Sequence, residues 1–282
     1  MQKRIAAIHD ISCVGRCSLT VALPLLSAAG IETCAIPTAV LSTHTGGFSG
    51  YTFRDLAEDL VPIAAHWQTL NLKFDALYTG FLGSEKQIKI MLEIINMLAN
   101  EETLLFVDPV MADHGELYPC FSEDFPAKMI KLCSKAKIVV PNMTEAALLL
   151  GIPFKKGPYT PDYVRMLLEG LCSLGPDTAV VTGVFYDEEH YGAAALSSTG
   201  EVINAFTKRI TGIYYGTGDI FASVLLCAII NGICLNHALK LAVDFTTECA
   251  MRTFVAGTDT RFGVNFEEGI PKLINDLKQL MH

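Results

Sequence analysis

Two kinds of apolar pattern alternate along the chain. Six short runs are apolar almost without a break: Arg4–Asp10 (RIAAIHD), Cys34–Leu41 (CAIPTAVL), Ala76–Phe81 (ALYTGF), Thr103–Pro109 (TLLFVDP), Lys137–Asn142 (KIVVPN) and Thr178–Gly183 (TAVVTG). A strand covered on both faces needs apolar side chains pointing both ways, so these runs predict buried strands of a parallel sheet. Longer segments lie between them, at Ser18–Gly30, Asp55–Trp67, Glu85–Asn100 and Pro161–Gly175. Their apolar residues recur at intervals of three and four, which predicts amphipathic helices. Strands that alternate with helices imply βαβ units.

Near residue 190 the pattern changes. His190–Arg209 reads as two strands joined by a Ser-Ser-Thr-Gly turn, hence an antiparallel hairpin at one edge of the sheet. Three helical segments follow, at Asp219–Asn231, Leu235–Val255 and Phe266–Met281. No repeat, low-complexity tract or linker divides the chain, and residues 1–282 read as one α/β domain.

Composition narrows the function classes. The 282 residues are 51% hydrophobic and 18% charged, which suits a packed core and argues against disorder. A net charge of −9 argues against a nucleic-acid binder, which needs a basic face. It leaves a nucleotide open, because backbone N–H groups can hold phosphates inside an acidic protein. The N-terminal MQKRIAAIHD has too short an apolar run for a signal peptide, and no stretch reaches membrane-spanning length, so the reading is a cytoplasmic protein. Nine cysteines lie scattered in apolar segments, Cys227, Cys234 and Cys249 among them in helical runs. The one spaced pair, Cys13 and Cys17, has no second pair to complete a zinc site, so the cysteines read as buried or partly buried thiols.

In an open parallel sheet, ligands bind outside the carboxyl ends of the strands. Asp10, the segment Ser42–Gly47, Thr79, Phe81, Asp108, Asn142 and Thr182 all fall at such ends. One further feature stands apart from them. Gly216-Thr217-Gly218-Asp219 opens an apolar helix. Glycines let a chain turn tightly and bring N–H groups to a ligand, and a helix start supplies unpaired N–H groups and a partial positive end. Together they form an anion hole, beside which Asp219 can act as general base. Asp219 can equally be an N-cap. No G-x-x-x-x-G-K-[ST] occurs, and Gly46–Gly50 (GGFSG), read as lying ahead of a helix, lacks the lysine of a P-loop.

Five pieces, in order over nearly the whole chain, carry a resemblance. Gly216–Ser223 (GTGDIFAS) resembles the signature of the ribokinase-like kinases. Ser42–Gly47 (STHTGG), Tyr78–Ser84 (YTGFLGS), Val107–Asp113 (VDPVMAD) and Val140–Leu149 (VPNMTEAALL) resemble segments of the pyridoxal kinases. The resemblance implies a ribokinase-like three-layer α/β/α fold with a mostly parallel sheet and an antiparallel edge hairpin. It implies transfer of the γ-phosphate of ATP to the 5′-hydroxymethyl group of a B6 vitamer, with homodimers usual.

Residue by residue, it implies Asp219 as base and Gly216, Thr217 and Gly218 as anion hole. Asp108, Asn142, Glu145, Thr182 and Thr217 match ATP-site positions. Asp108, Asp113 and Glu145 match positions near magnesium, which prefers carboxylates and waters. Thr45, His44 and Phe81 match the substrate pocket, and Asp10 stands where the family has a serine that contacts the pyridine ring. Adenine is expected between the segment around Ile210 and the late helices. Bland readings remain beside these: Asp108 as a turn residue before Pro109, Glu145 as a first-turn helix charge, His44 and Phe81 as ordinary structure. Two further departures are Val140, where a threonine would offer a ligand to a monovalent cation, and Ala112, where a glycine is usual.

Other readings fit less well. A sugar kinase of the superfamily should show a G-G-x-x-x-N signature and a lid hairpin near residues 10–50. A hydroxymethylpyrimidine kinase typically opens on a segment unlike HDISCVGRCS. A dehydrogenase lacks its G-x-G-x-x-G after the first strand, and a non-catalytic nucleotide binder has no need of Asp219.

Overall fold

The computed structural model describes residues 2–281. In chain order the elements are β1 (Arg4–Val14), α1 (Leu19–Ala28), β2 (Glu32–Thr43), β3 (Phe53–Asp55), α2 (Ala57–Thr69), β4 (Ala76–Thr79) and α3 (Glu85–Leu98). Next come β5 (Leu104–Val107), β6 (Ala112–Asp113), β7 (Glu116–Leu117), α4 (Phe125–Cys133), β8 (Ile138–Val139), α5 (Met143–Leu149) and α6 (Pro161–Ser173). The last third holds β9 (Thr178–Val184), β10 (His190–Leu196), β11 (Val202–Lys208), α7 (Thr217–Ile230), α8 (Leu235–Ala256) and α9 (Ile270–Leu280).

Nine strands form one sheet in the order β11-β10-β9-β8-β5-β4-β1-β2-β3, and β6 and β7 form a separate ribbon. The six central strands from β9 to β2 run parallel. Alternate residues of each strand face opposite layers, as the pleat requires. On one face, Ile5, Tyr78 and Phe106 pack with Leu25 of α1, Leu225 of α7, Leu239 of α8 and Leu273 of α9. On the other, Ile8, Leu77 and Val107 pack with Leu60 of α2, Met91 of α3, Met129 of α4, Ala146 of α5 and Leu167 of α6. The result is three layers, α/β/α, with a mostly parallel sheet.

Several details differ from the sequence expectation. The sheet has an antiparallel strand at both ends: the β10–β11 hairpin at one, and β3 against β2 at the other. Gly46–Gly50 therefore leads into the short strand β3 rather than directly into a helix. β1 runs on past Asp10 to Val14, with a register shift between His9 and Ile11, so Asp10 lies inside a strand and not after it. Helix α4 was not foreseen. Cys234 is the exposed N-cap of α8 rather than a helical residue, and Cys13 and Cys120 are also exposed. Among the described residues no helix is long and apolar enough to cross a membrane.

Candidate active site

The carboxyl ends of the parallel strands fall in a row because their hydrogen bonds are in register: Gly80 N–H donates to the Ile8 carbonyl, Asp108 N–H to Thr79, Val140 N–H to Val107 and Thr182 N–H to Pro141. Above this row lies the first turn of α7. Its N-cap, Gly216, has φ 74°, and a Cβ there would lie 2.0 Å from the Arg16 carbonyl oxygen. Only glycine fits such a contact, and the contact presses the start of α7 against the Arg16–Ser18 loop. No side chain caps this helix; Thr217 turns its hydroxyl back to the Tyr214 carbonyl (3.1 Å). The opening N–H groups of α7 are thereby left for a ligand. Gly218 is exposed, and nothing lies within 4 Å of where its Cβ would be.

Asp219, half-buried in that turn, has its carboxyl pushed up to about 7. Burial is the main cause; the Ser18 backbone N–H pulls the other way, and the Asp10 charge adds to the rise. Asp10 is itself buried. Its two oxygens accept from Ser18 Oγ (2.5 Å) and Ser12 Oγ (3.0 Å), and burial raises its pKa.

His44, in the loop after β2, accepts the Gly46 N–H at Nδ1 (3.1 Å). Nε2 therefore carries the proton and donates to the Arg261 carbonyl (2.5 Å). Its ring also meets Phe48 and Tyr215, at centroid distances of 5.1 and 5.4 Å, and Phe48 meets Phe262 at 5.2 Å. His44 thus ties the loop holding half-buried Thr45 to the segment just after α8. Phe81 has other neighbours. Its ring is 5.7 Å from that of Phe121, and its carbonyl accepts from Thr38. His44, Asp10 and Asp219 are brought together; Phe81 has its ring partner on the α4 side.

On the β8 side, Asn142 caps α5. Its Oδ1 accepts the N–H of Thr144 and Glu145 (2.8 and 2.9 Å), and its Nδ2 donates to the Ala112 carbonyl (2.8 Å). Glu145 completes a capping box: Oε2 accepts the Asn142 N–H (2.8 Å), while Oε1 accepts from Met111 (3.0 Å) and Ala112 (3.4 Å). Burial pushes Glu145 up to about 8 against these three donors. Asp108 is buried and its pKa is raised well above the usual range, first by burial and then by Glu145 and Asp219. Asp113 is exposed on the β6–β7 ribbon and accepts the His114 N–H (2.8 Å). Among the described residues no three His, Cys, Asp or Glu side chains gather closely enough to hold a metal ion unaided. The charges that Asp108 feels are all negative, and that environment suits a hard divalent cation completing its shell with phosphate oxygens and water.

Between α7, β9, the hairpin and α8 lies a cavity of ≈ 300 Å³. Asp113, Thr182, Thr217 and Gly218 line it, as do Ile210 on one side and Val243 and Thr247 of α8 on another. Two lining residues had no sequence signal. Tyr191 is hidden in the alternation of β10. Arg209, at the end of the hairpin, is fixed by Glu188 (2.8 Å) and by the rings of Phe185 and Tyr191 at 5.0 and 5.9 Å.

Known proteins match this architecture. Residues 23–263 match the family model described as phosphomethylpyrimidine kinase. A protein of Bacteroides thetaiotaomicron VPI-5482, provisionally named a phosphomethylpyrimidine kinase and solved with pyridoxal, is 36% identical with a TM-score of 0.91, over 99% of this chain and 96% of that one. The pyridoxal kinase of Lactobacillus plantarum is 32% identical with a TM-score of 0.90, over 100% of both chains. The hydroxymethylpyrimidine/phosphomethylpyrimidine kinase of Mycobacterium leprae is 26% identical over 90% of each chain. The chain belongs to the phosphomethylpyrimidine kinase family, within the ribokinase-like superfamily and alongside the pyridoxal kinases.

Proposed function

We propose that this kinase transfers the γ-phosphoryl group of ATP to the 5′-hydroxymethyl group of a B6 vitamer. The observation that carries the reading is Asp219: a carboxyl raised to about 7, in the uncapped first turn of α7, directly after the cavity-lining Thr217 and Gly218. A general base is most effective when its pKa lies near the working pH. Asp219 takes the proton of the acceptor hydroxyl as that oxygen bonds to the γ-phosphorus, and the bond to the β,γ-bridging oxygen breaks with its electron pair staying on ADP. The N–H groups of residues 216–219 hold the charge that builds on the migrating group.

Thr182, Thr217 and Gly218 line the cavity on the phosphate side, and Lys208 and Arg209 are the basic residues of its lining. Adenine fits between Ile210 and α8. Asp108 is the carboxyl suited to a magnesium ion, which supplies charge neutralisation when bound. Asn142 and Glu145 act one step removed, by holding the Met111–Ala112 backbone and the start of α5. His44 and Thr45 close the acceptor side.

A second reading has support from the name of the family model and from the M. leprae relative: phosphorylation of hydroxymethylpyrimidine. Both readings share the base and the anion hole and differ in the ring accepted. An ATP-consumption assay with pyridoxal, pyridoxamine, pyridoxine and hydroxymethylpyrimidine separates them. Turnover of a B6 vitamer well above the pyrimidine is expected. The reverse ranking moves the assignment to the second reading, and no turnover of any acceptor overturns both.

A further inference from the structure

Four loops meet beside the mouth of α7, and one residue at the junction is a glycine for a reason other than its backbone. Gly46 lies outside the left-handed region, so its φ is open to an alanine. Space is the constraint instead. A Cβ on Gly46 would lie 2.6 Å and 2.8 Å from Cε1 and Cδ1 of Tyr215, and 3.3 Å from His44 Nδ1. A Cβ on the next residue, Gly47, would lie 3.1 Å from the Tyr215 hydroxyl and 3.1 Å from Arg261 Cγ. The Tyr215 ring is therefore seated directly on the backbone of Gly46 and Gly47. Tyr215 is also the last residue before the N-cap of α7, and the contact of Gly216 with the Arg16 carbonyl fixes the chain there. The other two loops close the junction. His44 receives the Gly46 N–H and donates to the Arg261 carbonyl, with its ring 5.4 Å from that of Tyr215. Arg16 N–H donates to the Phe262 carbonyl (3.0 Å). Thr45 sits between the two residues that Tyr215 touches, His44 and Gly46.

Resting on the kinase reading above, we propose that Tyr215 is a positioning residue: it fixes the acceptor loop His44–Gly47 against the anion hole, and so sets the distance from the acceptor hydroxyl to the γ-phosphorus. Its ring transmits position because packed atoms at contact distance do not compress. A misplacement of ~1 Å at a reacting centre costs about 10²-fold in rate. A loosened joint also admits water, which then competes with the acceptor. The water oxygen bonds to the γ-phosphorus, its proton passes to Asp219, and ADP leaves with the electron pair of the broken bond, giving inorganic phosphate. The joint between Tyr215 and Gly46 thus governs how well ATP consumption is coupled to phosphorylation of the acceptor.

The test measures ADP and phosphorylated acceptor separately for the wild type, Tyr215→Ala, Tyr215→Phe, Gly46→Ala and the double variant Tyr215→Ala/Gly46→Ala. The acceptor is whichever of pyridoxal, pyridoxamine, pyridoxine and hydroxymethylpyrimidine the wild type turns over fastest. Tyr215→Ala should lower kcat/KM for the acceptor by about 10²-fold and leave KM for ATP within about twofold. ADP should form in excess of phosphorylated acceptor, an excess absent from the wild type. Tyr215→Phe keeps the ring on Gly46 and should restore both readouts. Gly46→Ala drives a methyl group into the ring and should reproduce Tyr215→Ala. In the double variant the space left by the ring receives that methyl group, so the two losses should be far from additive. Additive losses, or a Tyr215→Ala variant that keeps its acceptor kcat/KM with no excess of ADP, overturn the inference while leaving the kinase reading intact. A wild type that phosphorylates none of the four acceptors, though it binds ATP, overturns the two together. If Tyr215→Ala fails to fold, Gly46→Ala decides by the same two readouts.

Discussion

Two helices begin just above the carboxyl ends of the sheet, each with an acidic residue in its first turn, and they are built in opposite ways. At α5, Asn142 and Glu145 form a complete capping box, and Glu145 also holds two N–H groups of the chain after β5. The N–H groups of Asn142, Thr144, Glu145 and Ala146 all have partners inside the protein. At α7 the N-cap is a glycine in the left-handed region, no side chain caps the turn, and Thr217 and Gly218, the residues just before Asp219, line a cavity. Unpaired backbone donors at a helix end are costly when dry, so leaving them open is sensible where a ligand's anion will fill them. Two acidic residues that look alike in sequence are thus built differently, and in the proposed mechanism Glu145 supports the site while Asp219 acts in it.

The strongest way to break this contrast is to neutralise each acid. Asp219→Asn keeps the shape of the turn but removes the base. It should cut kcat by about 10²–10⁴ with little change in ATP affinity. In the wild type the carboxyl must be ionised to accept a proton, so kcat/KM should fall as pH drops through about 7, the value to which burial lifts Asp219. That limb should vanish in Asp219→Asn. Near-normal turnover in the variant, or a limb that persists in it, would falsify the role of base.

Glu145→Ala should show the opposite profile. It strips the acceptor from the N–H groups of Met111, Ala112 and Asn142. Leaving buried donors unpaired costs ~1–3 kcal/mol each, and the Ala112 contact is long, so a loss on the order of 3 kcal/mol is expected. Chemical denaturation should report it as a lower midpoint with an unchanged slope. A variant as stable as the wild type, yet unable to use ATP, would make Glu145 a direct ligand instead of a strut.

The same contrast explains how much could be read from the chain alone. Continuous apolar runs and three-four periodicity define the sheet and most of the helices, because burial on both faces leaves a plain imprint on residue type. The GTGD mouth was legible because glycine and aspartate are the residues its geometry demands. What escaped depends on backbone conformation or on distant partners. Ser18 reads as an ordinary helix start, and only the fold shows its φ of 50° and its hydroxyl bonded to Asp10. Phe81 lies at the end of an apolar run, and only the fold turns its ring toward Phe121. Strand β3 is three exposed residues, too short and too polar to leave a period. His9 follows the strand pattern, but nothing in it foretells a ring buried with both nitrogens unpartnered and its pKa lowered to about 3 by burial.

The smallest effect gives the finest test of an open helix mouth. Gly216 and Gly218 look equivalent in sequence. A Cβ at Gly216 collides with the Arg16 carbonyl, whereas at Gly218 it meets nothing within 4 Å. Gly218 is already helical, so Gly218→Ala should stabilise α7 by about 0.5–1 kcal/mol through backbone entropy alone. The new methyl group, however, would stand at the wall of the cavity, where the proposed mechanism brings the chain close to a phosphate. A modest rise in Tm should therefore accompany a several-fold rise in KM for ATP. If Tm rises and KM does not move, the glycine is not there for the nucleotide, and the N–H groups that matter lie nearer Gly216.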